Sequence, residues 1–311
     1  LTSEYGSVNK ILVNNGKLYS WQDRAFAMIA FKDRELISTD NGTSLTLGVG
    51  GILSYSQYIS IISGCIHPSS VINLDTSVIW FDTLNKKLYM LSDKLEPLSD
   101  VKMCSRIFNI KTNYRKELTF NNMFLLGLDK DKSKIYSTFS DSDLDVAYTV
   151  SYNGMLSYFE SMHSFIPKFY IPSYYGMITI PSERNSIWLH SEDAPKANYY
   201  GIPYNWGVTC LMGAEQKFVA TNLEFNFESP VKFSDHVDNN FIVKFKNSYS
   251  YKELPINKAT KRFRTYRIAI PMNNRGERFL DYWIEVKITF DNTNILKRLD
   301  NIKLKGLVPL I

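Results

Sequence analysis

The sequence predicts a mainly β chain: a β-propeller-like array of hairpins, then a β-sandwich-like segment, with one or a few short helices. Three observations predict it. Aromatic residues make up 14% of the 311 positions, with 20 Tyr and 19 Phe, and such side chains suit pleated, half-buried surfaces. A hairpin signature returns four times before residue 217. After that point, five strand-like stretches follow one another with no helical period between them.

Each copy of the signature is a short apolar run, a polar turn and a strand that opens on an aliphatic-aromatic pair. Asn14-Asn15-Gly16-Lys17-Leu18-Tyr19 follows the run Lys10 to Val13. Leu84-Asn85-Lys86-Lys87-Leu88-Tyr89 follows Val78 to Phe81, and Asp131-Lys132-Ser133-Lys134-Ile135-Tyr136 follows Phe124 to Leu126. Arg184-Asn185-Ser186-Ile187-Trp188 follows Met177 to Ile180. The aliphatic residues at 18, 88, 135 and 187 stand 70, 47 and 52 positions apart, the size of propeller blades with insertions. One helix is expected among them. Ser99 reads as its N-cap and Asp100 suits its first turn, while Val101, Cys104, Ile107 and Phe108 share one face. Cys104 is then a core residue.

From about Lys217 the texture changes, and the chain divides into a propeller-like region, 1–216, and a sandwich-like segment, 217–311. Strands are expected over Phe218–Phe227, Phe241–Phe245, Phe263–Ile270, Trp283–Phe290 and Ile295–Leu304. The fourth alternates: Ile284, Val286, Ile288 and Phe290 on one face, Glu285, Lys287 and Thr289 on the other. Such a series suits a β-sandwich or a closing sheet.

Charge is placed unevenly. Residues 251–311 hold 13 Lys or Arg against 6 Asp or Glu, so the net +5 of the chain divides into +7 there and −2 over the first 250 residues. The stretch Lys261-Arg262-Phe263-Arg264-Thr265-Tyr266-Arg267 interleaves cations with aromatics, with Arg262 and Arg264 expected outward and Phe263 inward. It suits an acidic protein surface or a nucleic-acid backbone, and Lys261, Arg262, Arg264 and Arg267 are the candidate interface. No apolar run is long enough for a membrane-spanning helix. The three widely spaced cysteines argue against a disulfide framework and a zinc site, and suit a reducing compartment. Leu1-Thr2-Ser3-Glu4-Tyr5 is neither an initiator Met nor a signal peptide, as expected of a processed product or fragment of something longer.

Catalytic motifs are few and incomplete. Ser38-Thr39-Asp40-Asn41-Gly42-Thr43-Ser44-Leu45 is close to the Asp-box of sialidases and related propellers, but Leu45 stands in the aromatic position and the box occurs once. A sialidase also needs an arginine cluster, a Tyr nucleophile with a Glu partner and a general acid; the tyrosines are too many to single one out, and no arginine triplet is identifiable from spacing. Asp40, Asn41 and Gly42 are therefore expected to be a structural turn, with an acceptor side chain and a positive φ. Asp129-Lys130-Asp131-Lys132-Ser133 lacks the Gly and Glu of a calcium loop and reads as a hairpin turn. Cys65-Ile66-His67 has no second ligand pair nearby, and His163, His190 and His236 stand apart. No catalytic, cofactor or metal residues are assigned.

An ordered set of segments carries a resemblance. "NGTSLTLGVGGIL", "YISIISGCIHPSSV", "WFDTLNKKLYML", "LSDVK" and "RFRTYRIAIP…WIEVKITFDNTN" together resemble the tail nozzle proteins of crAss-like bacteriophages, also called muzzle or tail stabilisation proteins. The resemblance runs along most of the chain and matches the C-terminal part of a longer protein. It implies a non-enzymatic virion structural protein of a short-tailed phage, assembled in the host bacterial cytoplasm. It implies a ring of copies, commonly six, around the DNA exit channel. Other tail proteins would be partners, and genomic DNA a transient one. It also implies a propeller associated with sandwich domains. The alternatives are a carbohydrate-binding propeller for host adhesion, marked by a shallow exposed aromatic site, and a sialidase-like glycosidase, marked by clustered arginines and carboxylates in a central cleft.

Overall fold

A computed structural model describes residues 1–32, 35–38, 44–47, 52–108, 122–141, 146–173, 176–190, 198–228, 241–255, 259–262, 265–272, 275–290 and 298–307. The chain forms two compact units, Leu1–Glu192 and Asp193–Ile311.

The first unit is a succession of antiparallel sheets, each built up and down in chain order. The first holds β1 (Val8–Asn14), β2 (Lys17–Gln22), β3 (Phe26–Lys32) and, after the hairpin β4 (Glu35–Ser38) and β5 (Ser44–Leu47), β6 (Ile52–Ser60). The second holds β7 (Val71–Asn73), β8 (Val78–Asp82), β9 (Lys87–Leu91) and β10 (Leu95–Pro97). The third holds β11 (Asn122–Asp129), β12 (Lys134–Asp141), β13 (Val146–Asn153) and β14 (Tyr158–His163). The fourth holds β15 (Pro167–Ile171), β16 (Met177–Pro181) and β17 (Trp188–His190). All four expected hairpins are present, as β1–β2, β8–β9, β11–β12 and β16–β17. In the first, Asn15 and Gly16 take φ of 49° and 70°, the pair of positive angles that a two-residue hairpin turn of matching twist needs.

The opening strands of successive sheets are neighbours: β1 lies beside β7, β7 beside β11, and β11 beside β15. Between the first and second sheets Trp21, Phe26, Trp80 and Tyr89 are buried together. Between the second and third, Phe81 stacks on Phe124 with ring centroids 3.7 Å apart, among Leu88, Phe139 and Tyr152. Each such ring contributes about 1.5–3 kcal/mol through burial. At the third seam, the ring of Tyr170 on β15 lies over Gly127 of β11, and its hydroxyl is 2.6 Å from Thr138 Oγ1 on β12.

The expected helix is two single turns, α1 (Leu98–Val101) and α2 (Ser105–Phe108). Met103, at φ 56°, breaks the chain between them. Ser99 is not the cap: it lies buried inside α1 and accepts a hydrogen bond from the Leu88 N–H at 3.3 Å. The break also turns Val101 out to solvent, while Cys104 and Ile107 pack beside the core that contains Phe108.

The second unit opens with the short pair β18 (Asn198–Tyr199) and β19 (Ile202–Pro203). One seven-stranded antiparallel sheet follows, made of β20 (Trp206–Glu228), β21 (Phe241–Lys246), β22 (Tyr251–Pro255), β23 (Thr260–Arg262), β24 (Thr265–Ala269), β25 (Leu280–Phe290) and β26 (Arg298–Leu307). The order is β22-β21-β25-β20-β24-β23, with β26 also on β20. At 23 residues, β20 runs through positions 216 and 217, where the sequence texture changes. Its first half pairs with β25 and its second half with β24 and β26. One core takes inward side chains from β20, β21, β22, β24, β25 and β26, including Phe225, Val243, Phe245, Leu254, Tyr266, Ile268 and Ile288, so the sheet curls over its own apolar face. The alternation expected along β25 is present, with Ile284, Val286, Ile288 and Phe290 buried.

The expected strand Phe263–Ile270 is replaced by a hairpin. Thr260, Lys261 and Arg262 pair with Arg267, Tyr266 and Thr265, so the chain reverses between Arg262 and Thr265.

Candidate functional site

In the first unit, the opening strands converge on a pocket of about 390 Å³. Its walls are apolar, from Val71 and Ile72 on β7, Leu125 to Leu128 on β11, and Phe169 to Ile171 on β15; Lys10 and Lys130 are its charged residues. Ser69, Asn73 and Ser173 add polar groups, and among the described residues neither a carboxylate nor an arginine lines it.

The Cys65–His67 pair belongs to the core beside this pocket. Cys65 is fully buried; its thiol donates to the His67 carbonyl at 3.1 Å and lies 3.3 Å from Ser70 Oγ. Burial pushes the thiol up to about 12 and the His67 imidazole down to about 4. A protonated thiol and a neutral, enclosed ring make a poor nucleophile and base. Among the described residues, no three Cys, His, Asp or Glu side chains gather as a metal site would require.

His163 and His190 are far apart in sequence, but the fold sets both against Phe165, with centroid distances of 5.5 and 5.3 Å. His163 Nε2 lies 2.9 Å from Ser151 Oγ, and His190 Nε2 lies 2.7 Å from Thr179 Oγ1. Burial holds both imidazoles near 4. Sequence spacing could not show this pairing, because it depends on Phe165, between β14 and β15, packing against His190 of the next sheet. His236 and the turn Asp40, Asn41 and Gly42 lie outside the described residues, as does Arg264. The acidic turn after Asp129 is the β11–β12 hairpin; Asp129 Oδ1 accepts the Lys132 N–H at 3.3 Å.

The charged surface of the second unit is wider than the stretch 261–267 alone. Register aligns Lys303 (β26), Glu224 (β20), Arg267 (β24) and Thr260 (β23) across four strands. Inward residues Leu223, Phe225, Tyr266 and Ile268 alternate with this row, so it lies on the outer face. Glu224 Oε1 is 2.7 Å from Lys305 Nζ and 3.7 Å from Arg267 Nε. Lys305, first, and then Arg267 and Lys303 hold the Glu224 carboxyl below its usual value. Arg267 and Lys305 each keep about half of their side-chain surface exposed, at 53%. Lys261 and Arg262 lie in the adjoining β23.

A second feature is aromatic. Asp281 Oδ2 accepts the Ser248 N–H at 3.0 Å, which brings the β21–β22 turn to the start of β25. Tyr249, Tyr251 and Tyr282 are exposed at that corner by 85%, 51% and 50%. Lys217 and Lys244 stand over the rings of Tyr282 and Tyr251 at 5.6 and 6.0 Å.

Up-and-down sheets in chain order, a curled seven-stranded sheet and a partly paired basic face define a mainly β protein. The chain belongs to the crassvirus muzzle protein family, whose sequence model matches residues 1–183. A curated muzzle protein of Bacteroides phage crAss001 is 22% identical over 324 aligned positions, covering 94% of this chain and 22% of that relative. The chain thus spans about a fifth of the relative's length. No described helix is long and apolar enough to cross a membrane.

Proposed function

We propose that this chain is a non-enzymatic structural component of a phage virion, placed in the tail nozzle around the DNA exit channel. In this reading it assembles in the host cytoplasm with copies of itself, as a ring of six, and with other tail proteins. The genome passes it transiently. Membership in the muzzle family carries the reading. Two features support it. The opening strands of four successive sheets stand side by side, as blades do around a propeller axis. The basic hairpin that bears Lys261, Arg262 and Arg267 offers arginine forks to carboxylates on a neighbour. The experiment is antibody labelling of whole virions against this chain, read by electron microscopy. Label at the tail tip is expected; label on the capsid, or none on intact particles, would overturn the placement.

One observation favours a second reading. Tyr249, Tyr251 and Tyr282 form a shallow, exposed aromatic corner, the kind of surface on which sugar rings stack. This is carbohydrate recognition in host adhesion, here on the second unit and not on the propeller-like region. Binding to host-surface glycans that Tyr249→Ser with Tyr282→Ser abolishes would favour it; no glycan binding by the wild-type chain would remove it. The glycosidase alternative needs arginines and carboxylates together in a central cleft, whereas the described lining of the pocket at the converging strands is mainly apolar, with two lysines, Asn73 and two serines.

A further inference from the structure

We propose that the outer face of the second unit's sheet is a docking surface for an acidic protein, built by Arg267, Lys303 and Lys305 around Glu224. The inference rests on the reading of the C-terminal unit as a contact with neighbouring proteins, and extends that contact from the β23–β24 hairpin across β24 and β20 to β26.

The geometry comes from the register. Lys303 and Lys305 alternate along β26, so they project from one face about 7 Å apart, and Arg267 stands two strands away, at roughly 10 Å. One carboxylate stands among the three cations and pairs with two of them. Glu224 Oε1 receives Lys305 at 2.7 Å and Arg267 at 3.7 Å, while Lys303 forms no ion pair among the described residues. The face therefore keeps an excess of positive charge, with its cations held in place by a central anion. Neutral groups fill the gaps: Thr265 Oγ1 donates to Asn226 Oδ1 at 2.8 Å, and Asn222 lies in the row beside Lys305.

The central anion decides the kind of partner. A phosphate backbone is a continuous run of negative charge, and a glutamate in the middle of its footprint would repel it at close range. A protein surface carries discrete carboxylates that can seat on Lys303, Lys305 and Arg267 and leave Glu224 between them. Mixed charges with neutral hydrogen-bonding groups are the usual make-up of a polar protein interface.

The test uses the 311-residue chain and two charge-matched probes at equal salt, labelled octaglutamate and labelled nonathymidylate, read by fluorescence anisotropy. Octaglutamate should bind more tightly. Lys303→Ser with Lys305→Ser should weaken it by about fivefold, as the loss of two exposed charge contacts implies, with an unchanged melting temperature. Lys261→Ser with Arg262→Ser is measured in parallel. Loss in both variants supports the wide dock. Loss only in the hairpin variant leaves the hairpin contact standing and overturns the dock. Loss in neither overturns both. Nonathymidylate bound as tightly as octaglutamate, with the same dependence on Lys303 and Lys305, would make the face a nucleic-acid surface and overturn the proposal.

Discussion

Gly127 sits in the middle of β11, where a Cβ would run into the ring of Tyr170. Gly127→Val should push that ring off the strand and cost about 1–3 kcal/mol, read as a lower urea midpoint; an unchanged midpoint would count against the close approach. The sequence Leu125-Leu126-Gly127-Leu128 hides this constraint, because the partner ring arrives from another sheet. The histidines are hidden in the same way. His67, His163 and His190 are each held near 4 by burial, against an ordinary value of 6.5. For His163, Lys134 and His190 also lower it and Glu160 opposes; for His190, Lys132 lowers it. A base depressed in the fold is stable while neutral. The stability it carries is therefore intact above about pH 6.5, falls as the unfolded chain takes up protons below that, and levels off near pH 4. The loss should be on the order of 1–2 kcal/mol per imidazole by pH 5. Urea titrations at pH 7 and pH 5 measure it, and His163→Gln with His190→Gln should flatten the dependence. Equal pH slopes for wild type and variant would refute the assignment.

Asp82 shows how a single side chain joins elements. At the end of β8 it accepts the N–H groups of Leu84 at 2.9 Å and Asn85 at 3.0 Å, shaping the β8–β9 turn, and the N–H of Gly64 at 3.1 Å, tying in the chain that leaves β6. Burial pushes its carboxyl up, against the pull of these donors. Asp82→Ala would leave three N–H groups without their acceptor and should cost about 2–4 kcal/mol. Asp82→Asn, which keeps an acceptor oxygen, should cost less; equal losses in the two variants would show that the turn does not need the acceptor. Elements of this kind are readable when local chemistry decides them. Asn15-Gly16 marks its turn because both residues tolerate positive φ, and β25 shows its alternation because one face is buried. The helix from Ser99 to Phe108 misleads, since the period of its apolar residues is right but Met103 takes a left-handed angle. The run 261–270 misleads because nothing local marks the reversal after Arg262. The first half of β20 was not expected: Trp206, Val208 and Met212 pack beside the core, but Gly207 and Gly213 dilute their alternation.

At the scale of the molecule, charge separates what packing does not. The last 61 residues carry +7 while the first 250 carry −2, and the described cations of that segment lie partly on one outer face. The core beneath that face is built of apolar side chains. An association that uses this face should weaken as salt rises, since exposed charges beyond about 8 Å are screened at physiological ionic strength. In the full-length protein, Arg262→Glu with Arg264→Glu places repulsion where attraction is proposed. Ring assembly, followed by native mass spectrometry, should weaken or fail, and added salt should weaken the wild type in the same direction. The same two substitutions in the 311-residue chain should leave its melting temperature within about 2 °C, as a role in contact and not in folding requires. A double variant that assembles normally but loses affinity for duplex DNA would replace the subunit contact with a surface that meets the passing genome. Loss of folding in the shorter chain would instead move both arginines from the interface to the stability of the hairpin.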